Sequence, residues 1–405
     1  MQLTVDWKIK TLGEIAEVQS GGTPLKSRNE YWFGDIPWYS SGELNETFTK
    51  APKELITPKG LEESNAKLFP KGSLLIGMYD TAALKMSILD RDAAFNQAIA
   101  GVKPNEKIEL KFILYAVNSR KFEILNQRRG VRQKNLSLAK IKNIALPIPP
   151  LPEQKRIVAI LDEAFEGIDR AIANTEKNLA NSRKIFESYL NAIFTQKGDG
   201  WVEKSIGDVC KLSQGLAINS KTKFLLVPKS SLPLLRITDL RNNTEEQFVA
   251  EQGCPANCLV DTEDIIYTRT GNSLGLVFTG RKGVLHNNSF KIVPDTFFLD
   301  RRYLFWWLQN PSFKETIMNL ASRTAQPDIT HKLFNLQPIT LPILSVQKEF
   351  VEKIEYFSTE TQRLETIYRQ KIDALNELKQ SILQKAFTGE LTTDTQKTVK
   401  EEIAA

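Results

Sequence analysis

The sequence is poor in the residue types on which many enzymes build a catalytic centre. Its 405 residues include three cysteines and two histidines, His286 and His331. A small and odd number of cysteines argues against a disulfide framework and is typical of a reducing compartment, so we expect a cytoplasmic protein. Neither histidine lies in a motif for nucleophilic catalysis. These shortages exclude the disulfide-rich secreted proteins and leave few options for a histidine-dependent hydrolase.

Long apolar runs and nucleotide-binding motifs are also missing. The sequence has no stretch of eighteen or more apolar residues, so we expect no membrane-spanning helix. The segment IVAILDEA (157–164) resembles the acidic strand of an ATPase, but no G-x-x-x-x-G-K-[ST] loop accompanies it. Cys254 and Cys258 have a spacing that zinc could use, yet four ligands cannot be assembled, and free thiols are favoured. We therefore expect no metal ion or cofactor in this chain.

One sequence pattern, in contrast, occurs twice along the chain. Trp7 aligns with Trp201, and IKTLGEIAEVQSGG then runs beside EKSIGDVCKLSQGL. Further on, Gln154 aligns with Gln347, and AIFTQ (192–196) aligns with KAFTG (385–389). The preserved order and nearly constant spacing indicate an internal duplication. Each copy consists of a globular segment followed by a long helical segment.

The globular segments predict an α+β fold class with two separate domains. We assign residues 1–150 and 198–343 to the domains, 151–197 and 344–388 to two helices, and 389–405 to a C-terminal tail. Short apolar runs such as GSLLIGMY, EDIIYTRT and LPLLRITDL predict strands. The segments 110–129 and 301–321 each predict one amphipathic helix. The βαβ rhythm of a parallel nucleotide-binding sheet is absent from the sequence.

The helical segments carry the seven-residue repeat of a coiled coil. A four-residue step to Ile372 predicts a local phase shift in the second helix. The prolines of PIPPLP predict that the first helix begins at residue 153. The residues that we assign to the seam between the helices are Leu161, Ile168, Ile172, Leu179, Phe186, Ile193, Ile354, Phe357, Leu364, Ile372, Leu375 and Ile382.

Two such helices can bury their seams against each other. Each is expected to be roughly 60 Å long, and if the second returns along the first, the pair is antiparallel with a pseudo-two-fold axis. The two globular domains would then stand apart. The alternative is that each helix packs on its own domain.

Basic and amide side chains provide the candidate recognition chemistry. The net charge of +6 weakly favours a polyanionic partner. Arginine and lysine neutralise phosphates, and arginine, glutamine and asparagine can pair with base edges. A solvated loop is an equal alternative for each cluster, so the DNA hypothesis rests on the two-fold architecture. The candidates are Lys26, Arg28, Arg128, Arg129, Arg132, Gln133, Lys134, Asn135, Arg236, Arg241, Arg269, Asn272, Arg323 and Gln326.

Together these features resemble the specificity (S) subunit of type I restriction–modification systems. The first target recognition domain of that family is similar to SGGTPLKSRNEYWFGDIPWYSSGEL and FNQAIAGVKP. Its first spacer is similar to IALPIPPLPEQKRIVAILDEAFEGID. The second half is similar to LPLLRITDL, IIYTRTGNSLGLVFTG and LKQSILQKAFTGELT. The second junction, LPILSVQKE, departs from the pattern because it lacks the double proline and the glutamate before glutamine.

The resemblance implies a non-catalytic subunit in a larger complex. Two target recognition domains would each read one half of a split double-stranded DNA site, and the helices would set the gap and dock two modification (M) subunits. Those partners bind S-adenosylmethionine and methylate adenine, and two restriction (R) subunits, which use ATP and Mg²⁺, can join them for cleavage. The alternatives are a self-contained DNA-modifying or restriction enzyme and a duplicated protein-binding scaffold.

Overall fold

A computed structural model describes residues 7–126, 136–196, 198–321, 327–388 and 391. The chain divides into two compact units. The first comprises Met1–Asn174 and Lys371–Ala405, and the second comprises Thr175–Gln370. Each unit therefore holds one globular domain and part of both long helices. Among the described residues no helix is long and apolar enough to cross a membrane.

The first domain mixes short strands and short helices. Its strands are β1 Lys8–Thr11, β2 Val18–Ser20, β3 Trp32–Tyr39, β4 Glu54–Ile56, β5 Leu74–Gly77, β6 Met86–Ile88, β7 Ala94–Phe95, β8 Ile99–Val102 and β9 Ala145–Ile148. Its helices are α1 Leu12–Ile15, α2 Pro58–Glu62, α3 Leu110–Ser119, α4 Lys121–Asn126 and α5 Leu138–Lys142. The first long helix, α6, spans Leu151–Thr195.

The second domain repeats the beginning and the end of this order and has additional strands in between. Its strands are β10 Val202–Ser205, β11 Cys210–Gln214, β12 Leu226–Val227, β13 Leu234–Leu235, β14 Phe248–Val249, β15 Leu259–Val260, β16 Ile265–Thr268, β17 Val277–Thr279, β18 Gly283–Leu285, β19 Ser289–Pro294 and β20 Pro338–Leu341. Its helices are α7 Ile206–Val209, α8 Ile237–Asn242, α9 Arg301–Trp307, α10 Pro311–Ala321 and α11 His331–Asn335. The second long helix, α12, spans Leu344–Thr388.

The main sheet and one strand pair match between the two domains, whereas the smaller sheets differ: β4-β3-β7 in the first domain, and β13-β18-β15 with β12-β14 in the second. The main sheet has the order β2-β8-β5-β6 in the first domain and β11-β19-β16-β17 in the second. An antiparallel pair, β1 with β9 or β10 with β20, joins the two ends of each domain. Beside this pair the Leu12 amide donates to the Ile144 carbonyl over 3.0 Å, and the Ile206 amide donates to the Gln337 carbonyl over 2.9 Å. The duplication in the sequence is therefore a duplication of the fold.

Each domain packs against both long helices within its own unit. The core of the first unit combines its main sheet and α3 with the early turns of α6 and the last turns of α12. The core of the second unit combines its sheet, α9 and α10 with the last turns of α6 and the early turns of α12. In both units the start of one helix thus lies beside the end of the other. The helices run antiparallel, as predicted, and the alternative in which each helix packs on its own domain is wrong.

Charged and aromatic pairs mark this antiparallel packing in each unit. In the first unit, Lys379 donates to the Asp169 carboxylate over 2.6 Å. In the second, Arg183 donates to Glu365 over 2.8 Å, and the rings of Tyr189 and Phe357 stack 4.7 Å apart. The fold class predicted from the sequence is confirmed.

The buried face of α12 corrects one predicted seam residue. Leu364 is 40% exposed, whereas the side chain of the next residue, Glu365, is 17% exposed and accepts the Arg183 hydrogen bonds. The predicted phase shift is also wrong, because a row of less exposed positions that passes through the buried Ser358, next to the half-buried Phe357, keeps unbroken steps of three and four. They are Ile354, Ser358, Thr361, Glu365, Tyr368, Ile372, Leu375, Lys379, Ile382 and Ala386. The predicted seam residues of α6 are all buried or half-buried.

Three further sequence predictions need correction. Helix α6 begins at Leu151 and not at residue 153, because Pro152 lies in the first turn, where its missing amide is not needed. The helix predicted over 110–129 breaks at Arg120, and the one predicted over 301–321 breaks before Pro311, where the Asn310 side chain accepts from the Ser312 amide over 3.0 Å. In LPLLRITDL the strand is limited to Leu234–Leu235, and helix α8 follows.

Candidate DNA interface

One end of each domain brings together three segments: the loop after a central strand of the main sheet (β5 or β16), the segment that follows α3 or α9, and the residues before α5 or α11. In the first domain this loop end consists of 78–85, 118–126 and Leu136, and in the second it consists of 269–276, 310–321 and 327–329. The same backbone bonds build both. The Leu136 amide donates to the Met78 carbonyl over 2.8 Å, and the Ile329 amide donates to the Arg269 carbonyl over 3.1 Å. The loop ends are therefore equivalent surfaces of the two domains.

More than half of the predicted DNA-contacting residues follow these loop ends in sequence. They lie in 127–135 and 322–326, directly after α4 and α10 and directly before Leu136 and Pro327. These residues are outside the described part of the chain, so their assignment stays a prediction. They are Arg128, Arg129, Arg132, Gln133, Lys134, Asn135, Arg323 and Gln326.

Arg269 is engaged in holding its own loop end together. Its guanidinium donates to the Asp328 carboxylate over 2.6 Å and to the Ile329 carbonyl over 3.2 Å. It also lies 5.3 Å from the ring centroid of Phe290, and the side chain is 14% exposed. Asn272, at the tip of the same loop, is exposed and has no hydrogen-bond partner among the described residues. Of the two predicted residues, Asn272 is the one available to a ligand.

Lys26 and Arg28 lie elsewhere in the first domain, on a small aromatic cluster. The Lys26 ammonium pairs with Glu54 and lies 3.6 Å from the ring centroid of Trp32. Arg28 donates to the Tyr31 hydroxyl over 2.8 Å and has Glu30 and Glu63 within 4 Å. Trp32 is buried. Because carboxylates already neutralise both cations, this cluster adds little net positive potential for DNA.

Arg236 directly precedes helix α8 and Arg241 lies in its last turn, and the two have different roles. Arg236 donates to the fully buried carboxylate of Asp239 over 2.7 Å and to Glu246 over 2.6 Å. Burial tends to raise the pKa of Asp239, but the hydrogen bonds from Arg236 and Thr244 outweigh it and hold the pKa below its usual value. Arg236 thus stabilises the start of α8. Arg241 is exposed and has no ionic partner among the described residues.

Two lysines that the sequence analysis did not select meet at the loop end of the first domain. Lys85 and Lys121 line one groove of about 610 Å³ together with Asn45, Phe48 and Asn118. Lys85 donates to the Asn45 side-chain oxygen over 3.0 Å, and Lys121 is half-buried with no partner among the described residues. Burial and the nearby charge of Lys85 lower the pKa of Lys121.

This lysine pair is suited to an anion. Glu46, which also lines the groove, pairs with Lys50 and so does not compensate the two ammonium groups. Two neighbouring cations without a carboxylate repel each other, and a phosphate between them would remove that repulsion. No sequence signal could have joined Lys85 to Lys121, because the fold alone brings a strand-end loop next to the start of α4.

The described residues offer no centre for metal chemistry. No group of three or more histidine, cysteine, aspartate or glutamate side chains within them could hold a metal ion. Cys210, Cys254 and Cys258 are free thiols, and burial, aided by the charge of Asp295, raises the pKa of Cys210 to about 12. A thiol with so high a pKa is not a ready nucleophile.

Comparison with known proteins identifies the family. Residues 4–180 and 198–374 each match the family described as Type I restriction modification DNA specificity domain. The chain belongs to this family. The two matches coincide with the two copies of the duplicated fold, so this specificity subunit carries two recognition domains. As a specificity subunit it is the DNA sequence-recognition component of its complex, acts with DNA and other subunits, and is not itself catalytic. The alternatives of a self-contained enzyme and of a scaffold for proteins alone are therefore wrong.

Specificity subunits from distant organisms are similar along nearly the whole chain. The MjaIX specificity subunit of Methanocaldococcus jannaschii is 23% identical, and the alignment covers 95% of this chain and 94% of that protein. The EcoKI specificity subunit of Escherichia coli K12 is 24% identical over 96% of this chain and 90% of that protein. The EcoR124I/EcoR124II specificity subunit of Escherichia coli is 31% identical over 47% of this chain, and this chain spans about half of that protein (48%).

Solved structures share the fold of this specificity subunit. A chain from a study of complex assembly and conformational transition of the type I R-M system matches with a TM-score of 0.79 at 18% identity, over 96% of this chain and all of the other (100%). The HsdS subunit from Thermoanaerobacter tengcongensis matches with a TM-score of 0.61 at 19% identity, over 96% and 98% of the two chains.

Proposed function

We propose that each domain of this specificity subunit reads one half of a bipartite double-stranded DNA site. The observation that supports this reading most is that one fold occurs twice with equivalent loop ends that carry different side chains. Lys85 and Lys121 occupy the loop end of the first domain, whereas Asn272 and the Arg269–Asp328 pair occupy that of the second. The lysine pair is suited to a phosphate and the Asn272 amide to a base edge, so the two loop ends would contact DNA differently, as two different half-sites require.

The two long helices set the distance between the half-sites and dock two modification subunits. Helices α6 and α12 have 45 residues each and carry matching junction residues, so they offer the same binding surface twice. A partner that binds one copy would bind the other, which gives two modification subunits per specificity subunit. Two restriction subunits would join where the system also cleaves DNA.

The chemistry belongs to those partners in this proposal. The modification subunits would hold S-adenosylmethionine and methylate adenine, and the restriction subunits would use ATP and Mg²⁺. This chain would hold no cofactor and would direct the reactions by binding DNA in the cytoplasm.

The test is to co-express the chain with the modification subunit encoded beside it and to sequence the methylated adenines of the host. We expect one bipartite motif with a single gap length. The control strain expresses the modification subunit without this chain and is expected to lack the motif. A contiguous motif, or the same methylation in both strains, would contradict the proposal.

A further inference from the structure

A buried glutamine ties the first domain to the beginning of its helix. Gln154, in the first turn of α6, is 1% exposed. Its side-chain oxygen accepts from the Glu109 amide over 2.9 Å, and its nitrogen donates to the carbonyl oxygens of Pro149 over 2.9 Å and Lys107 over 3.4 Å. Glu109 is the residue that caps the start of α3. One side chain therefore joins α6, the turn before it and the loop that leads into α3.

The second unit repeats this arrangement bond for bond. Gln347, in the first turn of α12, is fully buried. Its oxygen accepts from the Asp300 amide over 2.8 Å, and its nitrogen donates to the Pro342 and Phe298 carbonyls, each over 2.8 Å. Asp300 caps the start of α9, as Glu109 caps α3. The glutamine that recurs in the two junctions thus makes the same bonds in both.

Two more contacts recur around each glutamine. Lys111 pairs with Asp162 over 2.7 Å in the first unit, and Arg302 pairs with Glu355 over 2.6 Å at the matching place in the second. An aromatic contact follows, with ring centroids 5.2 Å apart in both cases: Phe112 with Phe387, and Tyr303 with Phe194. We call the glutamine bonds, the ion pair and the aromatic contact of each unit its domain joint.

The glutamine is the same residue in both joints, whereas the residue types of the other two contacts change. The ion pair is Lys–Asp in one unit and Arg–Glu in the other, and the aromatic pair also changes its residue types. Glutamine is retained because an amide supplies an acceptor and two donors in one plane. Methionine would fill the same space without bonds, and glutamate would keep the acceptor but lose both donors.

We propose that Gln154 and Gln347 are positioning residues that set the angle at which each recognition domain leaves its helix, and that they thereby restrict the subunit to one gap length. This inference rests on the proposed reading of two half-sites. The helices determine the distance between the joints, and the joints determine where the DNA-facing loop end of each domain lies. A loosened joint allows the loop end to swing, so half-sites with a longer or shorter gap become acceptable.

The experiment compares Gln154→Met and Gln347→Met, singly and together, in the complete complex with the modification subunit. Methylated sites are sequenced and sorted by gap length. We expect unchanged half-sites, because the loop ends are intact, and about a tenfold rise in methylation at gaps one base pair longer or shorter, since specificity is a difference between two binding energies. Gln362→Met, the same change at an exposed position of α12, is the matched control and should keep a single gap length.

Other outcomes are equally decisive. A Gln154→Met complex that assembles poorly but keeps one gap length would assign the glutamine a purely stabilising role and overturn the inference. Should that complex fail to assemble, Gln154→Asn decides, because the shorter amide stays polar but cannot keep all three bonds of Gln154. Broadened gaps support the inference, and an unchanged gap refutes it. A wild-type complex without any bipartite motif would instead refute the proposed function, before any variant is compared.

Discussion

The two recognition domains are attached to the helices in the same way and yet differ at their loop ends. Gln154 and Gln347 make the same set of bonds, and the ion pairs Lys111–Asp162 and Arg302–Glu355 occupy matching places. At the loop ends, by contrast, the first domain carries an open groove with Lys85 and Lys121. The bonds of the two joints are therefore the same, whereas the described side chains Lys85 and Lys121 of the first loop end differ from Asn272 and the Arg269–Asp328 pair of the second.

A second difference lies where each domain meets the end of a long helix. In the second unit Ser312 donates to the Asn191 side chain over 2.5 Å and Phe313 is buried, so this contact is closed. In the first unit the matching residues, Lys121 and Gln384, line an open groove, and Phe122 is 79% exposed. The duplication therefore preserved the joints and allowed the surfaces beside them to diverge.

Exchange of whole domains is the strongest test of this comparison. Replacing 206–337 with a copy of 12–144 joins the new domain at the matching hydrogen bonds, Leu12 to Ile144 in place of Ile206 to Gln337. The copy also brings Glu109 and Lys107, which can bond Gln347 as they bond Gln154. We expect the second half-site to disappear and the methylated motif to become a palindrome of the first half-site.

The control for that exchange is the reciprocal chain, in which 206–337 replaces 12–144. It should give the palindrome of the other half-site with a similar gap. Retention of the original asymmetric motif in either chain would show that bases are read outside the exchanged domains.

Shortening α6 and α12 tests whether their length sets the gap between the two half-sites. Asp169–Lys379 in the first unit and Arg183–Glu365 in the second follow the same antiparallel numbering, in which 172–178 of α6 correspond to 370–376 of α12. Deleting both heptads keeps the seam in phase and shortens the pair by about 10 Å, or about three base pairs of DNA. Methylation at unchanged half-sites with a gap shorter by about that amount is the expected result. Deletion of 172–178 alone breaks the register and should abolish methylation.

Features that repeat along the sequence could be predicted from it, whereas features that depend on tertiary contacts could not. The duplication and the seam of α6 could be predicted because they repeat over dozens of residues. Leu364 was assigned wrongly because Ser358, Thr361 and Glu365 take the buried positions of α12, and an apolar pattern cannot reveal a polar seam.

Predictions of secondary structure from local residue composition also failed where a tertiary or capping contact decides the structure. LPLLRITDL has the composition of a strand, but Asp239 accepts the Arg236 amide and starts a helix there. The lysine pair of the first loop end and the partners of the two glutamines are brought together by the fold, and no spacing in the sequence could show them.

Two substitutions in α12 test whether Leu364 lies outside the seam, through their effect on the free energy of unfolding. Ile354 is fully buried in the core of the second unit, so Ile354→Ala should lower the free energy of unfolding by about 2–5 kcal/mol. Leu364→Ala, at an exposed position, should change it by less than about 0.5 kcal/mol. Thermal and urea unfolding of the two variants provide the measurement. Equal losses would restore Leu364 to the seam and reinstate the phase shift.

The smallest expected effect concerns the lysine pair of the first loop end. If Lys85 and Lys121 hold one DNA phosphate, the double variant Lys85→Gln/Lys121→Gln should reduce the salt dependence of DNA binding by about one unit in the slope of log K against log salt. The motif should stay unchanged, because phosphate contacts carry no base information. Lys71→Gln, ahead of the opposite end of β5, is the control.

Because burial and the charge of Lys85 lower the pKa of Lys121, the charged form of Lys121 is disfavoured in the folded chain, and the double variant Lys85→Gln/Lys121→Gln should be no less stable. An unaltered salt slope would show that the groove is not a phosphate site and would leave the two loop ends alike in that respect.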